Sequence, residues 1–193
     1  MTVPHPIEQE SYRILRSRID LSYLPPLSRA VTERVIHASA DLSFAASLVL
    51  DEASLERGRA ALAARAVVVC DARMVAAGIT RREALVPLSD PRTAARAARE
   101  GTTRSWAAMR IATEEVGPGA VWVVGNAPTA LRALLEHPPL DPALIVGLPV
   151  GFVGAADAKA ALAASGEPCV TNVGERGGSA VAVAAVNALL YAD

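Results

Sequence analysis

The stretch AVWVVGNAPTALRALLEHP, residues 120–138, changes structural period at a single proline. AVWVVGNAP reads as a short apolar strand followed by a turn, a run of the kind that is buried on both faces. PTALRALLEHP reads as a helix with Pro128 in its first turn, where a missing N–H costs nothing. A strand passing through a tight turn into a helix is half of a β–α–β unit.

The same change recurs on both sides. AVVVCDARMVAAGI (66–79) is a buried strand ending at Asp71, then a loop and one helical turn, and SWAAMRIATEEV (105–116) is a helix. ALIVGLPVGFV (143–153) is a strand and loop, AADAKAALAAS (155–165) a helix ending at Gly166, PCVTNV (168–173) a strand, and SAVAVAAVNALLYA (179–192) a closing helix. Three helices precede this alternation. One follows Pro6, with Ile7, Ile14 and Leu15 spaced for one face. A second has Ser28 as N-cap and runs to about His37, with Val31, Val35 and Ile36 buried. A third covers EASLERGRAALAARA, weakened by Gly58. These elements predict an α/β fold: a single domain over residues 1–193, a mainly parallel β-sheet, and helices on both faces.

Composition agrees. Of the 193 residues 52% are hydrophobic but only 4% aromatic, so Ala, Val and Leu must fill the interior. Net charge is −1, from 19 basic and 20 acidic residues without a long block of one sign, which argues against nucleic-acid binding. Lys159 is the one lysine, so arginine supplies the positive charge, in a form suited to gripping carboxylates or phosphates. Cys70 and Cys169 have neither metal-ligand spacing nor a partner pattern. The start, MTVPHPIEQES, is polar and proline-broken, and no apolar run reaches membrane length. The expectation is a soluble, cytoplasmic protein.

In a parallel sheet, ligands gather at the carboxyl ends of the strands. The unusual loops, CDARMVAAGITR, GNAPT, GLPVGFVG and NVGERGGS, all fall there. GERGGS reads either as a glycine turn with Ser179 as cap or as an anion site of helix amides, with Gly178 allowing close approach and Arg176 adding charge. It is not a Walker loop, and the glycines at 147, 151 and 154 do not form a dinucleotide fingerprint. Asn126 reads first as a turn residue and second as a donor to a ligand. His5 and His137 abut prolines at element ends and are structural. His37 is either a packing residue or a proton donor, and spacing alone leaves the two open.

Taken together, HPIEQES, VIHASAD, CDARMVAAGIT, TRSWAAMR, VVGNAPTAL, PALIVGLPVGFVGAADAK and GERGGSAVAVAAVNALL run in this order along nearly the whole chain and resemble the precorrin-8X methylmutase family of cobalamin biosynthesis. The resemblance implies a homodimeric isomerase that needs no cofactor and binds a tetrapyrrole. In that family a methyl group moves from C-11 to C-12 of precorrin-8 to give hydrogenobyrinic acid, and the anaerobic branch uses the cobalt-bearing counterpart. It further implies that His37, through VIHASAD, is the proton donor. Through TRS, Thr103, Arg104 and Ser105 would meet a substrate carboxylate. Thr80 and Arg81, through GIT, would line the same rim, and Ser11 would lie near the ligand. Asn126, Gly178 and Ser179 complete the expected substrate contacts. Two departures stand out: Glu175 beside Arg176, where the family is more basic, and Asp157 in place of a more usual glutamate.

Overall fold

A computed structural model describes residues 5–192; residues 1–4 of the proline-broken start, and residue 193, lie outside the described residues. The chain begins with α1 (Pro6–Arg18), α2 (Pro26–Ser39), the single turn α3 (Phe44–Ser47), β1 (Leu48–Leu50) and α4 (Glu52–Ala63). Then come β2 (Val68–Cys70) with α5 (Arg73–Gly78), α6 (Arg92–Glu100) and α7 (Arg104–Glu115), and β3 (Val121–Val124) with α8 (Pro128–Glu136). The last units are β4 (Leu144–Gly147) with α9 (Ala155–Ala164) and β5 (Cys169–Asn172) with α10 (Ser179–Tyr191).

Among the described residues the sheet has the order β1-β5-β4-β3-β2. β2 to β5 are parallel, as expected, and β1 adds antiparallel at the edge, with Leu48 opposite Asn172. The parallel strands stand in chain order, so every crossover steps the same way. Crossovers of one hand must then lie on one face. That face is the layer of α7, α8 and α9, where Met109, Leu131, Leu134 and Leu162 pack against Trp122 and Val124. The opposite face packs Val121 and Val123 against α2, α4, α5 and α10. It is built from segments early and late in the chain, together with α5, which follows β2. Here α2 and α10 run antiparallel: Arg176, just before α10, pairs with Asp41, just after α2, at 2.7 Å, while Arg34 lies over Tyr191 at the far end.

Several local expectations are corrected. On α1 only Leu15 is buried; Ile7 and Ile14 are 75% and 37% exposed, because this helix rests on α2 at the periphery and not on the sheet. α2 starts at Pro26, and Ser28 is not its cap. The carboxylate of Glu52 serves instead, accepting from the Leu27 N–H at 2.8 Å, the Ser28 N–H at 2.9 Å and the Ser28 hydroxyl at 2.7 Å. Ser179 is the first residue of α10 and likewise makes no cap; Gly178 occupies that position. Gly58 is where helix and sheet approach: a Cβ there would come within 2.6 Å of Leu144 Cδ2.

Candidate active site

His37 lies half-buried in the last turn of α2. Its Nδ1 shares a 2.8 Å hydrogen bond with the Ser11 hydroxyl of α1. The Tyr12 ring stacks on the imidazole, with centroids 4.9 Å apart and planes 9° from parallel. The local sequence explains why α1 delivers both residues. His5 caps the helix, accepting from the Ile7 N–H, and Pro6 presets its first turn. Two ion pairs then fix α1 on α2. Arg16 grips the buried Glu33 through Nε and Nη2, at 2.9 and 2.7 Å, and Arg34 reaches Glu8 at 2.6 Å. With Nδ1 engaged, Nε2 is the ring nitrogen left for other chemistry.

The network continues outward from Tyr12. Arg34 Nη1 donates to the Tyr12 hydroxyl at 3.4 Å, and its guanidinium lies 5.9 Å from the centre of the Tyr191 ring. Arg81 stacks more closely on that ring, at 4.1 Å, from a left-handed backbone conformation with φ 60°. The Thr80 hydroxyl donates to the Tyr191 hydroxyl at 3.0 Å, and the Thr80 N–H donates to Asn187 Oδ1 at 3.1 Å. A cavity of about 410 Å3 opens here, lined by Glu8, Tyr12, Arg16, Arg34, Asn187 and Tyr191. Ser11, His37, Thr80 and Arg81 therefore belong to one connected group.

Thr103, Arg104 and Ser105 form a second group, at the start of α7 on the other face of the sheet. Thr103 caps α7, accepting from the Trp106 N–H at 3.1 Å, and its hydroxyl donates to that of Thr129 at 2.8 Å. Arg104 is exposed and makes no ion pair among the described residues; Ser105 is half-buried. A cavity of about 480 Å3, lined by Thr103, Trp106, Thr129, Arg132 and Glu136, opens beside them. Asn126 projects from a turn held by Asp71, whose carboxylate accepts from the Gly125, Asn126 and Ala127 N–H groups at 3.0, 2.9 and 2.8 Å. Burial pushes the Asp71 carboxyl up, and the three amides pull it the other way. Among the described residues no hydrogen bond, ion pair or ring contact joins this group to Arg81.

Gly178 and Ser179 stand at the start of α10, nearer to the His37 helix. The Gly178 N–H donates to Leu148 O at 2.8 Å, and Arg176 crosses to Asp41. Beneath this loop lies Lys159, fully buried on α9. Its ammonium donates to Arg176 O at 2.6 Å and Asn172 Oδ1 at 3.0 Å. Burial lowers it to about 8, while Glu175 draws it upward. Neither Asp71 nor Lys159 carries a signal in the sequence beyond an acid after a strand and one basic residue in an alanine-rich helix.

The sequence profile of the family described as Precorrin-8X methylmutase matches residues 6–192. The chain belongs to this family. Among its relatives, the precorrin-8X methylmutase of Pseudomonas aeruginosa is 44% identical over 95% of this chain and 93% of its own length. The cobalt-precorrin-8 methylmutase of Salmonella typhimurium is 41% identical, covering 97% and 95%. The crystal structure of the precorrin-8x methyl mutase from Thermus thermophilus superimposes with a TM-score of 0.86 at 37% identity, covering 96% of both chains. As a methylmutase the chain is an isomerase of cobalamin biosynthesis.

Proposed function

We propose that this methylmutase, acting as a single domain in the cytoplasm, moves a methyl group from C-11 to C-12 of precorrin-8X to give hydrogenobyrinic acid, with His37 as proton donor. The observation that carries this reading is the pairing of His37 Nδ1 with Ser11 under a stacked Tyr12. That pairing orients the ring and leaves Nε2 to face the substrate. An isomerisation changes neither composition nor oxidation state, so the proton lent by the imidazole returns to it before turnover ends. The acetate and propionate arms of a corrinoid suit the cations and hydroxyls nearby: Thr80 and Arg81 in the His37 group, and Thr103, Arg104, Ser105, Asn126, Gly178 and Ser179 elsewhere.

The separation of Arg104 from His37 favours a homodimer. A flat ligand seated across a seam between two copies meets the His37 group of one protomer and the Arg104 group of its partner. Apolar side chains left open near the strand ends, Phe152 at 90% and Val173 at 70% exposure, supply surface for such a contact. Relatives bear both precorrin-8X and cobalt-precorrin-8 in their names, so both substrates belong in the assay.

The deciding experiment is His37→Ala. The variant is expected to bind the corrinoid while turnover, followed by visible absorbance, falls about 10²- to 10⁴-fold, the usual contribution of a positioned acid. Conversion at the wild-type rate overturns the assignment.

A further inference from the structure

We infer that Lys159 is a positioning residue for the reaction: it fixes the Arg176–Gly177 peptide and so sets the entry to α10 where a substrate carboxylate is held. This rests on the reading of Gly178 and Ser179 as substrate contacts.

The Arg176 carbonyl takes two donors from below, Lys159 Nζ at 2.6 Å and Asn172 Nδ2 at 2.9 Å. The described residues contain no cis peptide. In a trans peptide C=O and N–H point opposite ways, so drawing this carbonyl inward turns the Gly177 N–H outward. The rest of the loop has little slack. A Cβ at Gly177 would lie 2.6 Å from Pro149 O, and the Gly178 N–H is tied to Leu148 O. Arg176 itself extends to Asp41, which also accepts from the Ser43 N–H and hydroxyl at 2.9 and 2.6 Å. One buried ammonium thus governs a loop that touches both the α10 start and the segment following His37.

Stability alone does not call for a charge at this place. Lys159 makes no ion pair with a carboxylate among the described residues. An apolar side chain of similar volume would avoid desolvating an ammonium. What it could not do is orient the carbonyl.

Lys159→Met keeps the volume and removes the donor. In the full chain we expect KM for precorrin-8X to rise about tenfold, the size of one lost charge-assisted contact, with kcat within twofold of wild type. The same rise is expected in the dissociation constant for hydrogenobyrinic acid. An unchanged KM in a folded variant overturns the inference, whatever happens to the melting temperature. Should Lys159→Met not fold, Asn172→Ala decides, because it removes the second donor to the same carbonyl: a severalfold rise in KM supports the role and an unchanged KM ends it. Ser179→Ala, with Lys159 intact, tests the underlying contact separately: a raised KM there beside an unchanged KM in Lys159→Met ends the Lys159 role alone, and an unchanged KM there ends the contact reading.

Discussion

Ser11 Oγ lies 2.8 Å from His37 Nδ1, so the imidazole is oriented by a helix other than the one that carries it. Ser11→Ala removes that restraint and leaves the Tyr12 stack. Turnover is expected to fall about tenfold with KM within twofold, the pattern of lost alignment rather than lost binding. Steady-state rates at saturating and limiting corrinoid check it. An unchanged kcat would remove Ser11 from the mechanism.

Asp71 binds three successive amides of the turn that carries Asn126. Asp71→Ala orphans them together. At about 1 kcal/mol for each unmade bond the loss is about 3 kcal/mol. For a chain of this size that lowers the melting temperature by about 6–12 °C. A shift under 2 °C in a thermal scan would show that water replaces the carboxylate at no loss.

Burial pushes the Cys70 thiol up to about 12 and the Cys169 thiol up to about 11. A group whose folded value is raised stabilises fully below its ordinary value, here 9.0, and loses that contribution as pH climbs through the folded one. Urea midpoints should therefore fall between pH 9 and pH 12. Lys159, lowered to about 8 from 10.5, acts in the opposite sense between those two values. Comparison with Cys70→Ala isolates the thiol: the variant should lose less stability over this window. An equal loss in both proteins rules out the buried thiol as its cause.

The strand–helix rhythm of residues 66–192 was legible because buried parallel strands read as short apolar runs, and β3, β4 and β5 are buried throughout. β1 was not, being three residues long and half-exposed at the sheet edge. α6 carries no such apolar pattern either; its polar sequence RTAARAARE packs on α7 and buries only Thr93 and Ala97. Local chemistry misled where a distant residue did the capping, as Glu52 does for α2. At the site, the motif pointed to His37 and Ser11, but Tyr12, Arg34 and Tyr191 join the group only through the packing of α1 and α10 on α2. Lys159 has no local mark because its partners come from β5 and the loop beyond.

The layer around His37 has a temporal consequence. Its outer helices come from residues 6–39 and 179–191, with the crossover layer between them in the chain. During vectorial synthesis the consecutive units from β2 to β5 can assemble as they emerge, whereas α2 waits with one flank bare. Only when α10 leaves the ribosome are Asn187 and Tyr191 at hand to complete the cavity wall. Competence for the reaction thus waits on α10, and ribosome-bound chains halted before residue 179 should be inert.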